Sequence, residues 1–407
     1  MRGPAPAMML AAAVAAGCSA GHAETFSTPL QPAGSAPAAA TRAAVRYLHA
    51  LAARQPAAAL AAPETAAQRR SLGALTRWLG AIPVAHLRVV AVPISTRPPD
   101  AASLLVSLRA RLGRGAASTY VSLGQRRILV RRRAGAWRVA ADLSARPGSG
   151  VAPGGLAAVP RASYAAGANA VVVNAARASP GEVSQVRAAA RTLPRLVARY
   201  GPPGGVRTPV IVLVPGWGRA ESIAGISFPH EATAAEYHGL VFVDVPEWRR
   251  WGDVRGRGVV VHELTHVASG RLLRGAPLSL LEGLARYEEE GYDRRAGAPT
   301  SVALLAAAYR RGYPTIDRWG WALRNGWQLH GRVRVEVAYE DAAAVTRAVI
   351  AGDGVDGVRR LARAFRREGG GWFSHARVRA AFLTALGRPF AAVLADAHRE
   401  TFAAAGR

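Results

Sequence analysis

The stretch VVVHELTHVASG at residues 259–270 constrains the fold most, because it places two histidines and a glutamate inside an apolar run. Such a run predicts a helix that packs inside a domain. Side chains four residues apart project from the same face of a helix, so His262 and His266 can both reach one ion. Glu263 is rotated by about 100° from His262, which places its carboxylate beside that ion. We therefore expect a buried, metal-binding helix that ends near Gly270.

A second helical pattern supplies a candidate third ligand. The stretch APLSLLEGLARYEEEGY has Pro277 near its start, Gly291 at its end, and Glu282 among leucines in its first turns. A carboxylate in apolar surroundings needs a partner, and a metal ion is a good one. Two histidines and one glutamate leave a fourth position open, which is the arrangement of catalytic rather than structural zinc.

Two points qualify this pattern. The alternative is that His262 and His266 are core residues satisfied by their neighbours, although burying two imidazoles and a carboxylate with nothing to bind is costly. The three consecutive glutamates 288–290 stand at the end of the second helical pattern. We expect them to form a solvated face.

The N-terminus predicts export. An arginine precedes the apolar run MMLAAAVAAG, which has the length of a signal-peptide core and is too short to span a bilayer. The following VAAGC, which contains the chain's single cysteine, resembles a bacterial lipobox. We expect a signal peptide at 1–18, a lipid on Cys18, a flexible tether at 19–40 and anchoring to the outer face of the cytoplasmic membrane. The alternative is plain secretion after cleavage at Ala23.

The net charge of +27 does not by itself indicate nucleic-acid binding. All 53 basic residues are arginine, they are scattered along the chain, and no nucleic-acid-reading motif is present. We therefore expect no nucleic-acid partner, and the charge suits an anionic envelope surface better. The sequence leaves the oligomeric state open.

The hydrophobic pattern predicts an α+β fold in two domains. Residues 41–145 contain a helical pattern followed by several strand-like runs, in an arrangement similar to the cone-shaped nuclear-transport-factor-2-like domains. The alternative is an α+β spacer that binds nothing. Residues 146–163 are rich in glycine and proline and predict a linker. Residues 164–407 form the second domain, with a sheet-containing half followed by a helical half from about residue 255.

Local signals place the first elements of this second domain. AVVVNA, TPVIVLVPG and HGLVFVDVP read as strands. Between the first two, a continuous helix is expected over residues 179–201. Ser179 is its N-cap, Pro180 its first residue, and Glu182 closes a capping box.

The motifs HELTH, then Pro277, then EGLARY at 282–287 resemble those of the gluzincin metallopeptidases, and in particular the bacterial peptidase MA-like domains. The resemblance covers roughly residues 165–405. It implies that His262, His266 and Glu282 bind Zn²⁺ and that Glu263 is the catalytic base acting on a zinc-bound water.

The same resemblance guides the choice of further site residues. VEVAYEDAAAVTRAVI is similar to a helix that follows the active site in this family, which makes Tyr339 the candidate oxyanion donor, with His330 as a further candidate. Residues 239–248 are the candidate edge strand for pairing with the substrate backbone, and the loop before them, with His230 and His238, is a candidate lid. The tryptophan-rich stretch 317–331, with Trp319, Trp321 and Trp327, is expected to pack around the cleft. The alternatives are that it lines a binding groove or sits at a membrane interface.

The favoured function is that of a zinc metallopeptidase acting on peptide or protein substrates outside the cytoplasmic membrane. Two alternatives stay open. One is a non-catalytic envelope protein that keeps the metallopeptidase scaffold for binding, although an intact Glu263 argues against it. The other is a zinc amidase acting on cell-wall peptides.

Overall fold

The computed structural model describes residues 38–97, 100–113, 119–144, 155–228, 232–297, 302–311, 332–367 and 375–406. The architecture is α+β, as the sequence predicts. The chain divides into two compact units. The sheet unit contains the described residues of 22–178 and 207–228, and the helical unit contains those of 179–206 and 229–406.

The sheet unit begins with two helices and an antiparallel four-stranded sheet. These elements are α1 (Ala38–Ala52), α2 (Ala66–Ala81), β1 (Val84–Arg97), β2 (Ala101–Leu112), β3 (Tyr120–Arg133) and β4 (Ala136–Asp142). The four strands pair in chain order. Alternate residues of β2, including Leu104, Val106 and Leu108, are buried, as expected for a sheet with one face on the core. A capping box between Thr65 and Gln68 starts α2.

Three shorter strands and one helix complete the sheet unit. They are β5 (Ser163–Ala166), β6 (Val171–Asn174), β7 (Val210–Val214) and α5 (Trp217–Ala224). β5 pairs antiparallel with β6, and β6 pairs parallel with β7. All five residues of β7 are buried, which explains why this strand reads as a continuous apolar run rather than as an alternating one. The predicted strands in AVVVNA and TPVIVLVPG are confirmed.

The helical unit opens with two short helices where the sequence suggested one. The structure has α3 (Pro180–Ala190) and α4 (Leu193–Tyr200), so the prediction of a continuous helix is wrong. Pro194 explains the break, because a proline inside a helix lacks the N–H donor and its ring clashes with the carbonyl four residues earlier. The capping box of Ser179 with Glu182 at the start of α3 is confirmed.

A hairpin and seven helices make up the rest of the helical unit among the described residues. They are β8 (Ala234–Tyr237), β9 (Leu240–Asp244), α6 (Val245–Arg249), α7 (Gly252–Ser269), α8 (Leu278–Arg295), α9 (Val302–Arg310), α10 (Arg332–Arg367), α11 (His375–Leu386) and α12 (Phe390–Ala405). α10 is interrupted at Gly354, whose φ of 65° and ψ of −173° are not helical.

Helix α8 packs against both α7 and α10, and glycines permit the close approach on both sides. A Cβ atom at Gly258 of α7 would overlap the carboxylate of Asp293 on α8. A Cβ atom at Gly283 of α8 would overlap the carbonyl oxygen of Ala342 on α10. The three helices therefore lie close enough for their side chains to form one cluster.

No single helix of the described residues is long and apolar enough to cross a membrane. One pair of segments, Ala376–Leu386 and Phe390–Ala405, meets the length and composition test only when taken together, across a bend of 82°.

Candidate metal centre

Helix α7 carries the two histidines and the adjacent glutamate between buried apolar residues. Val259, Val260, Val261 and Leu264 are completely buried. His262 and Glu263 are also completely buried, and His266 is 9% exposed. The helix ends where expected, with the N–H of Gly270 donating to the carbonyl of His266 at 2.8 Å. The apolar residues of α7 pack in the interior, and its polar side chains are buried as a consequence.

Helix α8 brings Glu282 to the histidines. It begins after Pro277, as predicted, and places Glu282, which is fully buried, in its second turn. Oε2 of Glu282 lies 3.2 Å from Nε2 of His262 and 3.5 Å from Nε2 of His266. Each of the three residues offers one ligand atom, and these atoms lie within 4.8 Å of one another. The group could therefore hold a metal ion.

Unpartnered buried atoms show that these residues fit a cation. Nε2 of His266 and Oε1 of Glu282 are buried and have no hydrogen-bond partner. Both carboxylate oxygens of Glu263 are in the same condition. Buried polar groups are normally hydrogen-bonded, and each one left unsatisfied costs about 1–3 kcal/mol. A divalent cation would satisfy the atoms of His266 and Glu282.

The electrostatics of the cluster set Glu263 apart from Glu282 and Glu289, whose pKa values are lowered. Burial raises the pKa of Glu263 to about 7, and the neighbouring histidines only partly oppose this. Burial alone would lower the pKa of His262, but hydrogen bonds to Glu282 and Glu289 outweigh it and raise the pKa to about 10. Glu263 is therefore suited to exchanging a proton near neutral pH.

The expectation that glutamates 288–290 form a solvated face is wrong. Their exposed fractions are 2%, 2% and 3%. Oε2 of Glu289 lies 3.0 Å from Nδ1 of His262. α8 also continues past Gly291 to Arg295, so these glutamates lie inside the helix rather than at its end. The helical spacing held a signal for Glu289, because it lies two turns after Glu282 on the same face of the helix.

Partly buried arginines offset the charge of these carboxylates. Arg286 donates to Glu289 and, through Nε at 2.9 Å, to Glu340 on α10. Arg347 of α10 forms an ion pair with Glu290. Burial raises the pKa of Glu340 well above its usual range, and Glu290 raises it further. A buried charge is tolerated only when it is paired. The ion pairs of this network therefore allow the carboxylate of Glu289 to lie against Nδ1 of His262.

Tyr339, the candidate oxyanion donor, lies close to the cluster. It is on α10 and is 6% exposed. Its ring centroid is 6.1 Å from that of His262, with the planes inclined at 49°. The structure therefore places Tyr339 beside the metal-binding group, next to Glu340 of the arginine network.

The expectation that residues 239–248 form one strand is only partly met. Leu240–Asp244 is the strand β9, which pairs antiparallel with β8, and the chain enters α6 at Val245. β8 has only four residues, which are too few to show a strand pattern in the sequence. Its formation depends on the turn that joins it to β9. His238 and Gly239 connect β8 to β9 with φ values of 52° and 82°, and positive values at both positions suit a tight hairpin.

Strand β8 contributes a residue that the sequence did not reveal. β8 packs against α7 and carries Glu236, which accepts a hydrogen bond from the N–H of Gly239 at 2.6 Å. Burial raises the pKa of Glu236, while the Gly239 amide and His266 oppose the increase. Its charge also raises the pKa of Glu263. Only the packing of a non-local strand brings it into this environment.

Several residues singled out in the sequence lie outside the described residues. They are Cys18, His230, His330, Trp319, Trp321 and Trp327.

Comparison of the chain with protein-family models, with curated proteins and with solved structures finds no match. The functional assignment therefore rests on the geometry of the cluster and on the motifs in the sequence.

Proposed function

We propose that the chain is a zinc-dependent metallopeptidase of the gluzincin type that hydrolyses peptide bonds. One observation carries the proposal. The ligand atoms of His262, His266 and Glu282 lie within 4.8 Å of one another, next to a buried Glu263 whose carboxylate has no partner. Two imidazole nitrogens and one carboxylate oxygen are ligands that zinc accepts, and three protein ligands are typical of catalytic sites.

Zinc held by these three side chains would supply Lewis-acid polarisation of the substrate carbonyl and would make water easier to deprotonate. Glu263 takes a proton from the attacking water and then donates it to the leaving amine. Both transfers require a carboxyl group that changes protonation readily, and burial raises the pKa of Glu263 to about 7.

Tyr339 and β8 complete the proposed site. The hydroxyl of Tyr339 donates a hydrogen bond to the oxyanion that forms on the scissile carbonyl. Its ring lies 6.1 Å from that of His262, one of the three proposed metal ligands. An extended substrate would pair with β8 of the β8–β9 hairpin, the strand that carries Glu236 and packs against α7.

The proposed location is outside the cytoplasmic membrane, with a lipid on Cys18 as the anchor. This rests on the apolar run and the lipobox-like VAAGC of the N-terminal sequence. Metabolic labelling with a palmitate analogue tests it. We expect label in the native chain and none in Cys18→Ser, whereas secretion of an unlabelled native protein would contradict the anchor.

The experiment that tests the function is a peptidase screen of the zinc-loaded chain with Glu263→Gln as the key variant. We expect hydrolysis of peptides to fall about 10²- to 10⁴-fold in this variant, because the general base is lost, while zinc content stays unchanged. Glu247→Gln is the matched control, since it makes the same substitution on α6, outside the cluster. It should retain full activity.

The other outcomes distinguish the alternative functions. Cleavage of cell-wall peptide amides without cleavage of protein substrates would favour the amidase. Zinc binding with no hydrolysis of either substrate class would favour a non-catalytic scaffold. Equal activity of native protein and Glu263→Gln would contradict the assigned mechanism.

A further inference from the structure

An arginine-lined pocket lies on the helical unit, separate from the metal-binding side chains. Its volume is about 270 Å³, and its walls come from α4 and the C-terminal half of α8. Arg195 and Arg199 line it from α4, and Arg294 and Arg295 line it from α8. Glu288 is the one carboxylate in this lining.

Glu288 fixes two of the four guanidinium groups. Its side chain is 2% exposed, and both oxygens are engaged. Arg195 donates to Oε2 at 2.9 Å, while Arg199 and the hydroxyl of Tyr200 donate to Oε1 at 2.6 and 2.7 Å. A guanidinium group has five N–H donors, so Arg195 and Arg199 are held in place with donors left over.

Arg294 and Arg295 add positive charge to a lining whose one carboxylate, Glu288, is already paired with Arg195 and Arg199. Glu288 also attracts Arg295, and Glu290 attracts Arg294. Partial burial lowers the pKa of Arg295, and repulsion from Arg195 lowers it further. Four guanidinium groups around one carboxylate leave a concentrated positive charge in a concave site, which favours an anion.

We propose that this pocket binds a phosphate group. Guanidinium groups bind phosphate and carboxylate oxygens through paired hydrogen bonds, but the excess of positive charge here favours a doubly charged phosphate over a singly charged carboxylate. The volume of about 270 Å³ is just below the usual range of about 300–1,000 Å³ for ligand pockets, so it suits a phosphate with a small substituent. The pocket goes beyond the proposed peptidase function and does not depend on it.

The test is calorimetric titration of the full chain with inorganic phosphate at physiological salt, after metal has been removed with a chelator. Removing metal excludes phosphate binding to an ion at the histidines. We expect saturable binding at one site, and weaker or no binding of acetate. The paired substitution Arg294→Gln and Arg295→Gln should weaken phosphate binding by tenfold or more.

The matched control is the pair Arg366→Gln and Arg367→Gln. These two arginines occupy the last turn of α10 and are also exposed. Replacing them with glutamine removes the same amount of charge. Binding in this control should equal that of the native chain. Equal weakening in both pairs, or phosphate binding that does not saturate, would overturn the proposal, because it would reduce the effect to overall charge. Circular dichroism melts check folding, and Arg295→Gln alone serves if the first pair unfolds.

Two sources of the phosphate can be told apart with vesicles. Phosphatidylcholine vesicles with and without phosphatidic acid are mixed with the native chain and with both pairs of variants. Recruitment that needs phosphatidic acid, Arg294 and Arg295 would identify a lipid headgroup. Binding of inorganic phosphate without recruitment would identify a soluble phosphate compound. The proposal is overturned if neither inorganic phosphate nor phosphatidic acid gives a response that depends on Arg294 and Arg295.

Discussion

Nδ1 of His262 lies 3.0 Å from Oε2 of Glu289, while Nε2 of the same ring lies 3.2 Å from Oε2 of Glu282. A carboxylate on one ring nitrogen fixes the orientation of the ring and increases the basicity of the other nitrogen. Glu289 is itself held by Arg286. The ring of His262 is therefore positioned by α8 at both of its nitrogens.

Replacing Glu289 should weaken metal binding without removing a ligand. Glu289→Gln removes the negative charge next to Nδ1 of His262. Loss of a carboxylate that holds a metal ligand in this way typically lowers metal affinity by about 10- to 100-fold. Competition with a chelating indicator measures the dissociation constant. Glu288→Gln is the control, because this adjacent residue contacts Arg195 and Arg199 instead. Equal affinities in Glu289→Gln and the native chain would contradict the positioning role.

Removing the hydroxyl of Tyr339 should slow hydrolysis while leaving the metal in place. Loss of one oxyanion donor typically lowers kcat by about 10²- to 10³-fold. Tyr339→Phe keeps the ring that packs 6.1 Å from His262, so zinc content should match that of the native chain. Steady-state kinetics with elemental analysis checks both quantities. An unchanged kcat would assign Tyr339 to packing alone.

Local patterns predicted the parts of the site that depend on helical spacing. The four-residue interval from His262 to His266, and Glu282 among leucines, were readable because helix geometry fixes where such side chains point. The burial of Glu289 could not be predicted, because a run of three glutamates is typical of a solvated face unless an arginine such as Arg286, which is partly buried, pairs with it. The partner arginine Arg347 lies on a distant helix, and no local pattern reveals such pairing.

The fold shows the same division between local and non-local information. The capping box of Ser179 depends on neighbouring residues and was predicted correctly. The break at Pro194 was also a local signal, but the apolar periodicity on both sides of it obscured it. The packing of β8 against α7, which brings Glu236 to the cluster, depends on residues far apart in the chain and has no local signal.

Two glycines of α8 should respond in opposite ways to alanine. A Cβ atom at Gly283 would overlap α10, so Gly283→Ala should destabilise the protein by about 1–3 kcal/mol. Gly291 has only ordinary contact at 3.6 Å from Arg295, so Gly291→Ala should stabilise it by about 0.5–1 kcal/mol. Urea denaturation measures both free energies of unfolding. Similar effects of the two substitutions would contradict the close packing of α8 on α10.

Asp341 should make the free energy of unfolding depend on pH. Burial raises its pKa to about 7, although a hydrogen bond from the hydroxyl of Tyr309 partly opposes this. A raised pKa means that the folded state binds the proton more tightly than the unfolded state. The stabilisation that Asp341 contributes to the folded state is therefore complete at a pH below the ordinary pKa of aspartate. It is lost as the pH rises through about 7.

The substitution Asp341→Asn removes this titration and should be compared with the native chain in urea. The compared quantity is the free energy of unfolding of the variant minus that of the native chain. This difference should be more positive at about pH 8 than at about pH 5, by on the order of 2 kcal/mol. Asp356→Asn, at an exposed site on α10, is the control and should show no such change. A difference between Asp341→Asn and native protein that is the same at both pH values would contradict the burial of an ionisable group here.

The central claim is that His262, His266 and Glu282 hold one metal ion, and elemental analysis of metal per chain tests it most directly. The native chain, after addition of zinc and removal of the excess, should retain about one zinc ion, with Glu247→Gln as the matched control. His262→Ala and Glu282→Ala should each lose it. Loss in His262→Ala alone would show that Glu282 is not a ligand. No retained metal in the native chain would contradict the account and leave α7 as a buried helix without a metal site.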